Sequence, residues 1–436
     1  MLGRNGATDM LLGAFSSAVV VRILSIGASV VTAPIVFQAL GTDRFGLWMT
    51  LLSLSSLVSL ADLGVGSAAQ NRLSSEIAYK NEIGIKAIVS SSTLMLAGAA
   101  AVVAIIFAGV SAFSVEQMSI SEEAGLALLL VAILSALMLP LSPVIKLLFA
   151  SNRAHEVYLY NGLITGVVLG GTVLITSSGG GMIAIASITL GAPILVWSAV
   201  WVKTFWFDLP AGRPSLLAAR DTEIVALIKV GMPFMLIQAL AFAGVGVDNL
   251  LIASILDPAD VAPYAVMNRI WSSLFVVQFI TSALWPALAK LLAIGDLPSA
   301  RRLFQRSVFI CTALGVGLAV VLVLLSQAAI AVWIGEPAVP DMLTVLGFAG
   351  WSIVAAANAP IAALLSTGKG VKSLLALLTV AAGASLVLKA LLIPTMGASG
   401  AVLASCIGYS ITLPTGFLQC ARLLKSIPDH KKRKVN

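Results

Sequence analysis

Residues Ser307–Ile334 read SVFICTALGVGLAVVLVLLSQAAIAVWI, a run in which no side chain is charged. About 20 mainly apolar residues in a helix are enough to cross the hydrocarbon core of a bilayer. The run therefore predicts a transmembrane helix. The rest of the chain has the same character, since 59% of its 436 residues are hydrophobic and only 10% are charged. A soluble fold could not bury so much apolar surface, so the composition indicates a polytopic membrane protein.

Runs of this kind predict an all-α protein with twelve transmembrane helices, because a membrane β-barrel would show alternation instead. The first run contains Arg22 and is too long for a signal peptide, so we interpret it as a span. The predicted spans are Leu11–Gln38, Phe45–Ala69, Ala87–Phe113, Ala124–Phe149, Tyr158–Thr176, Met182–Phe205, Leu227–Leu256, Val261–Leu288, Ser307–Ile334, Leu343–Thr367, Ser373–Pro394 and Ala398–Gln419.

The distribution of Lys and Arg predicts the orientation. If both termini are cytoplasmic, 21 of the 26 basic residues fall on the inner side, and the outer loops contain only Arg44. The positive-inside rule therefore favours cytoplasmic N and C termini. The basic run from Lys431 to Lys434 resembles a nuclear signal, but on a twelve-span protein it indicates attachment to anionic membrane lipids. We expect no nucleic-acid partner.

The second half of the chain also resembles the first half at an offset of about 216 residues. This offset aligns Phe45–Trp48 with Val261–Tyr264. Two halves with six spans each have the same orientation, which predicts a parallel internal repeat. The predicted organisation is a six-helix lobe at 1–207, a cytoplasmic linker at 208–226, a second six-helix lobe at 227–421, and a basic cytoplasmic tail at 422–436.

Five charged residues lie at least five residues from either end of a predicted span: Arg22, Asp62, Asp248, Arg269 and Lys389. A charge at the centre of a membrane helix costs at least ~2.5–3.5 kcal/mol, so each needs a partner or a water-filled cavity. Their depths predict two pairs on consecutive helices, Arg22 with Asp62 in the inner half and Asp248 with Arg269 in the outer half. Such pairs can be structural or can act as switches, and the sequence leaves both readings open.

Two lysines are interpreted separately. Lys389 has no carboxylate on its own helix, so it is a candidate for binding an anion. The alternative interpretation is that the Lys389 ammonium group extends to the nearby membrane surface. Lys146 lies near the inner end of its span, beside Pro140 and Pro143, and is expected to reach the surface in this way. The prolines are interpreted as helix kinks.

The sequence argues against an enzyme. Its loops are too short for a catalytic domain, and its two histidines, His155 and His430, lie on the predicted inner side. There is no phosphate-binding loop followed by Lys-Ser or Lys-Thr. The three cysteines lack metal-ligand spacing. We therefore expect neither a metal nor another cofactor. Trp271 and Trp351 could stack on sugar rings, but core packing is the favoured interpretation.

Two stretches resemble a known family. Residues Leu40–Leu73 read LGTDRFGLWMTLLSLSSLVSLADLGVGSAAQNRL, which looks like the second-span signature of polysaccharide flippases. Residues Asp248–Ile270 read DNLLIASILDPADVAPYAVMNRI, which is similar to the hairpin of the seventh and eighth spans in that family. These are the O-antigen repeat-unit type flippases of the multidrug/oligosaccharidyl-lipid/polysaccharide (MOP) exporter superfamily.

The resemblance implies transport of undecaprenyl-pyrophosphate-linked oligosaccharides across the bacterial inner membrane by alternating access. The units would serve O-antigen, capsule or exopolysaccharide assembly, with a polysaccharide polymerase and a chain-length regulator as partners. Arg22, Arg269 and Lys389 would then line a cavity for the anionic head group. Asp62 and Asp248 would act as gates, or would couple transport to a proton or sodium ion.

Two other functions remain open. A multidrug exporter of the same superfamily would use the carboxylates to bind a cation and a cationic substrate. The excess of positive charge within the spans disfavours that alternative. A membrane glycan ligase or polymerase would need a substantial outer loop with catalytic basic residues, which the sequence lacks.

Overall fold

A computed structural model describes residues 4–117, 122–367 and 370–426, apart from the side chains of 4–19, Arg22 and several others. The described residues form α-helices joined by short turns, 3-10 segments and π segments. The helices are α1 Arg4–Val58, α2 Val65–Ala78, α3 Glu82–Gln117, α4 Glu122–Leu137, α5 Ser142–Ala150, α6 Ala154–Ser177, α7 Met182–Lys203, α8 Asp221–Ala241, α9 Asp248–Ile255, α10 Pro258–Leu274, α11 Val277–Ala293, α12 Leu297–Trp333, α13 Met342–Leu365, α14 Val371–Met396, α15 Ser399–Ile411 and α16 Leu413–Ser426.

Among these residues, ten stretches are long and apolar enough to cross a membrane, which makes the protein a multi-pass membrane protein. The sequence predicted twelve, and two places account for the difference. The first two predicted spans fall in one stretch, Ile23–Asp62, where Gly41 interrupts the helix with φ 74° and ψ 175°. This backbone conformation with positive φ favours glycine, and Gly41 lies between the first two predicted spans, which end at Gln38 and begin at Phe45.

The eighth predicted span, Val261–Leu288, is divided into α10 and α11. The helix stops at Phe275, whose ψ is 78°, and starts again at Val277. Each piece has 17 residues, about one turn short of the ~20 residues that span a bilayer. Hydropathy does not reveal such an interruption, because both pieces are apolar.

The residues fall into two compact units, Met1–Arg44 with Leu51–Gln238 and Phe45–Thr50 with Ala239–Asn436. The predicted lobe and linker boundaries stay predictions. In the predicted linker, α8 already begins at Asp221. Of the predicted tail, residues up to Ser426 continue α16, and 427–436 lie outside the described residues.

The first unit packs around α2, whose Val65, Ala68 and Leu73 are buried against α3 and α5. The predicted fourth span is divided here, because a 3-10 turn at Leu139–Leu141 separates α4 from α5. Pro140 lies in that turn and Pro143 at the start of α5. A proline ring cannot continue the hydrogen bonding of the preceding turn, so the predicted kink occurs at these prolines.

Glycines allow close helix contacts in both units. In the first unit, a Cβ on Gly64 would lie 2.1 Å from the carbonyl oxygen of Gly231. In the second, a Cβ on Gly46 would lie 1.8 Å from the carbonyl oxygen of Pro258, and one on Gly408 would lie 2.7 Å from the Ser385 nitrogen. Small residues are favoured at membrane helix contacts because lipid provides no hydrophobic force between helices, which instead gain energy from close packing.

Acidic residues of the predicted outer loops start two helices. Asp257 accepts a hydrogen bond from the backbone nitrogen of Ala259 at 3.1 Å, and Asp260 completes a capping box at the start of α10. Asp341 accepts from the Thr344 nitrogen at 3.3 Å and caps α13. A carboxylate at a helix N-terminus also interacts favourably with the helix dipole.

A network of charges joins α6 to the end of α7 in the first unit. Arg153 Nε donates to Glu156 Oε1 and Arg153 Nη2 donates to Asp208 Oδ2, both at 2.5 Å, while Lys203 Nζ lies 3.4 Å from Glu156 Oε2. The hydrogen bond to Glu156 raises the pKa of Arg153, and Asp208 adds to this effect. The guanidinium therefore stays charged and holds the two helix ends together.

Candidate functional site

A buried ion pair lies in the second unit, where Lys389 Nζ contacts Asp248 Oδ1. Lys389 is 0% exposed and Asp248 4%. The other carboxylate oxygen of Asp248 accepts a hydrogen bond from the Tyr264 hydroxyl. Three helices provide these groups, since Asp248 begins α9, Tyr264 is on α10 and Lys389 is on α14.

The carbonyl of Gly244 is the second anchor of this cluster. It accepts hydrogen bonds from Lys389 Nζ at 2.5 Å, Ser385 Oγ at 3.1 Å and Ser405 Oγ at 3.2 Å. Gly244 lies in the π segment Phe242–Gly246. Such a bulge departs from the regular α-helical hydrogen-bond pattern, and π-bulges occur frequently at functional sites.

Gly244 also has no room for a side chain. A Cβ there would lie 2.2 Å from the Tyr409 hydroxyl oxygen, so glycine lets α15 approach the π segment. The Lys389 ammonium is thus surrounded by oxygen atoms from a carboxylate and a backbone carbonyl. Because the charges of Lys389 and Asp248 compensate each other, the cluster is neutral overall. This lowers the free-energy cost of burying either charge.

The structure corrects two expectations about these residues. Lys389 does have a carboxylate partner, and in the described part of the chain the ion pair of Asp248 is with Lys389 rather than Arg269. The predicted pairs joined charges at equal depth on consecutive helices. The actual partner is on α14, far along the chain, and depth alone could not select it. Ser385 and Ser405 are the sequence features that could have located this cluster. Each is a polar residue on a mainly apolar helix, and Ser385 lies about one turn before Lys389.

Asp62 has different surroundings, in the first unit. Its carboxylate accepts a hydrogen bond from the Gly66 nitrogen, at 3.0 Å to Oδ1. A Cβ on Gly66 would lie 2.9 Å from Asp62 Oδ2 and 2.8 Å from Lys146 Cε. The Asp62 carboxylate and the Lys146 side chain therefore both lie beside this glycine. The sequence analysis did not identify Lys146 as a neighbour of Asp62, and the extension of its ammonium group to the membrane surface stays a prediction.

The two arginines are less completely placed. Arg22 lies on α1, but its side chain is outside the described residues, so the Arg22–Asp62 pair stays a prediction. Arg269 is half-buried near the end of α10, and its backbone carbonyl accepts a hydrogen bond from Ser272 Oγ at 3.1 Å. Arg269 lies six residues before the break at Phe275, so a cation lies less than two helical turns from an irregular part of the backbone.

The tryptophans pack inside the second unit. The rings of Trp271 and Trp351 are 6.2 Å apart, and Trp271 Nε1 donates to Ser352 Oγ at 2.9 Å. Trp351 also meets Tyr409 edge to face at 5.2 Å. These contacts satisfy the indole nitrogen of Trp271 and engage both rings, as expected for core residues. The structure therefore supports core packing over stacking on sugars.

Within the described ranges, no three His, Cys, Asp or Glu residues come together as a metal site would require. The three cysteines are free thiols, and Cys311 and Cys420 are buried.

Known proteins identify the fold. No protein-family model matches the chain. A curated protein of Salmonella typhi named "Putative O-antigen transporter" is 23% identical over 285 residues, which cover 62% of this chain. The match spans 63% of that relative's length, less than two thirds.

Solved structures match over nearly the whole chain. An inward-facing multidrug resistance MATE family transporter of the MOP superfamily has a TM-score of 0.73 at 14% identity, covering 95% of this chain and 98% of its own. An outward-facing form has a TM-score of 0.66 at 13% identity and covers 95% and 96%. A MOP superfamily transporter from Pyrococcus furiosus, described as having a binding pocket of reverse polarity that suggests a different function, has a TM-score of 0.64 at 13% identity and covers 96% and 94%. The chain therefore has the fold of these MOP-superfamily transporters, as the sequence resemblance implied.

Proposed function

We propose, from the premise that this chain has the fold of the MOP-superfamily transporters, that it is a flippase for lipid-linked oligosaccharides. It would move undecaprenyl-pyrophosphate-linked units across the bacterial inner membrane by alternating access, for O-antigen, capsule or exopolysaccharide assembly. Its similarity to an O-antigen transporter supports this class of substrate. A polysaccharide polymerase and a chain-length regulator are the proposed partners.

We also propose the complete membrane topology. It has twelve spans in two six-helix lobes related by a parallel repeat, with both termini in the cytoplasm. The interruption at Gly41 supports two spans within the long first stretch, because 40 helical residues would extend ~60 Å, about twice the ~30 Å of the hydrocarbon core. The excess of basic residues on one side supports the orientation.

The observation that carries the proposed substrate class is the pairing of Asp248 with Lys389. An exporter of cationic drugs needs a carboxylate that can receive the positive charge of its substrate. Here one carboxylate oxygen of Asp248 contacts Lys389 and the other accepts from the Tyr264 hydroxyl, and the Asp62 carboxylate accepts a hydrogen bond from the Gly66 nitrogen. With these carboxylates engaged, the positive side chains favour an anionic substrate such as a pyrophosphate.

The proposed roles follow from this arrangement. Arg22 and Arg269 would contact the pyrophosphate, and Lys389 would join them only when its pair with Asp248 separates. Asp62 and Asp248 are the proposed gates or ion-coupling residues, because a carboxylate that loses its lysine would take up a proton or a sodium ion. The transporter fold also agrees with the proposal that the protein is not an enzyme.

The second candidate is a cation-coupled multidrug exporter. It is favoured by the solved relatives described as multidrug resistance transporters. A glycan ligase or polymerase is the third and weakest candidate, because the relatives found are transporters. Cells can separate the first two candidates, since one supplies surface glycan and the other removes cationic dyes.

Replacing Arg269 with alanine is expected to reduce glycan export at least about tenfold while the protein stays in the membrane. The lost charge-assisted hydrogen bonds to an anion correspond to about 1.5–3 kcal/mol. Arg269→Lys should retain part of the export, because it keeps the charge but not the bidentate geometry. The measurement is surface glycan in cells that depend on this gene, with membrane protein levels quantified by immunoblot.

Lys290→Ala is the matched control, because it removes an exposed basic residue from the last turn of α11. It should export normally. Full export by both Arg22→Ala and Arg269→Ala would contradict the cationic substrate cavity. Loss of dye resistance in either variant, with glycan export intact, would favour the multidrug exporter.

A further inference from the structure

A hollow of about 890 Å³ lies in the second unit, where the first turns of α12 face the last turns of α16. None of the five charged residues predicted for the transport site lines it. Three of its lining side chains are basic, those of Arg301, Arg302 and Lys425, and none is acidic. Its apolar wall includes Phe304 and Phe417. This charge pattern fits an anion, and the transport site described above does not account for it.

The basic side chains are accessible. Arg301, Arg302 and Lys425 are exposed, and none of the ion pairs between described residues involves them. Asp296, the acid that most closely precedes Arg301 on the chain, comes just before α12 and accepts a hydrogen bond from the Ser299 nitrogen as its cap. The positive charge at this end of α12 is therefore available to a ligand from outside the chain.

An apolar surface continues from the hollow. A second hollow of about 570 Å³ shares Gln305 and Val308 with the first, and extends along the same side of α12 to Val316. Phe309, also in its lining, is 75% exposed, and Val316 is 44% exposed. No charged residue follows Arg306 until Glu336, so this surface faces acyl chains rather than water.

The dimensions match one leaflet. The uncharged part of this surface, from Ser307 to Val316, has ten residues and extends ~15 Å at 1.5 Å per residue. That is half of the ~30 Å hydrocarbon core, the depth to which one acyl chain reaches. A free phosphate or pyrophosphate would use the basic end but not this apolar extension.

We propose that this surface binds an anionic phospholipid of the adjacent leaflet, independently of the proposed substrate. Its phosphate lies among Arg301, Arg302 and Lys425, where charge-assisted hydrogen bonds are available. One acyl chain lies along Val308, Phe309 and Val316. By the positive-inside rule this is the cytoplasmic leaflet. The bound lipid links the ends of α12 and α16.

Native mass spectrometry of the purified full-length protein tests the phosphate contact, with phosphatidylglycerol as the probe and phosphatidylcholine as its neutral counterpart. Phosphatidylglycerol should be retained in preference. The double variant Arg301→Gln/Lys425→Gln should weaken its binding about 30-fold, because each basic residue near a lipid phosphate contributes about fivefold. Exposed positions tolerate such changes with little loss of stability.

The matched control is Arg306→Gln/Arg422→Gln. It also removes one positive charge from α12 and one from α16, but at exposed positions outside the lining of the hollow. It should retain the lipid. Equal loss in both double variants would overturn the proposal, because it would show a general effect of surface charge. Equal retention of phosphatidylcholine would overturn it as well.

A steric pair of variants tests the acyl chain. Val308→Trp, which fills the position shared by the two hollows, should reduce phosphatidylglycerol retention at least about tenfold. Ile310→Trp, two residues away and outside both linings, should not. If Val308→Trp retained phosphatidylglycerol unchanged and inorganic pyrophosphate competed fully with it, the proposal would be overturned, because the ligand would be a free anion and not a lipid.

Discussion

Replacing Lys389 with methionine is expected to lower the free energy of unfolding by about 3–5 kcal/mol, because it leaves the Asp248 carboxylate buried without its counter-charge. Methionine keeps most of the side-chain length, so little of the loss comes from a cavity. The Gly244 carbonyl keeps its two serine donors. The measurement is the denaturant midpoint of the purified protein in detergent, compared with the unsubstituted protein.

Lys372→Met is the control, because it removes an exposed lysine from the same helix. It should change the unfolding free energy by no more than about 0.5 kcal/mol. Adding Asp248→Asn to Lys389→Met should restore most of the stability, since the amide is neutral and can still bond to Tyr264. A destabilised double variant, equal to Lys389→Met alone, would contradict the assignment of the loss to an uncompensated charge.

Replacing Gly46 with alanine is expected to cost about 3 kcal/mol, at the upper end of overpacking effects. The new Cβ would lie 1.8 Å from the carbonyl oxygen of Pro258, and no rotamer change can relieve a contact with backbone. The segment Phe45–Thr50 would have to move away from the start of α10. The thermal midpoint in detergent measures the effect.

Gly27→Ala is the matched control, because Gly27 lies in the helical part of α1 before the break at Gly41 and a Cβ there meets nothing within 4 Å. It should be neutral or should stabilise the protein by about 0.5–1 kcal/mol, the usual gain from replacing a helical glycine. If Gly46→Ala proved as stable as Gly27→Ala, Gly46 would not be the site of a close backbone contact.

Much of the fold follows from composition and charge. The apolar runs of the sequence predicted a polytopic helical protein, and their positions agree with most of the observed helices. The prolines at 140 and 143 marked a real interruption. The break at Phe275 was missed because neither a proline nor a glycine marks it and both flanking helices are apolar. Its backbone angles follow from tertiary packing, which a hydropathy profile does not contain.

The sequence predicted that Asp248 and Lys389 each need a partner within the membrane, because an ionised group in lipid needs one. The structure shows both in one buried pair, which the sequence did not predict, and their roles in transport stay predictions. The choice of partner depended on how α14 packs against the π segment and α9, which no local pattern records. Lys146 was not identified as a neighbour of Asp62 for a similar reason. Its distance from the span end predicts reach to the interface, whereas its proximity to Asp62 across Gly66 depends on how α2 packs against α5.

The most direct test of the transport proposal is translocation by the purified protein in proteoliposomes. These contain a fluorescent undecaprenyl-pyrophosphate-linked oligosaccharide in one leaflet, and a membrane-impermeant quencher reports its arrival in the other. We predict translocation well above that of protein-free vesicles, with no transport of a cationic dye under the same ion gradients. Transport of the dye without movement of the lipid-linked sugar would contradict the account and indicate a multidrug exporter.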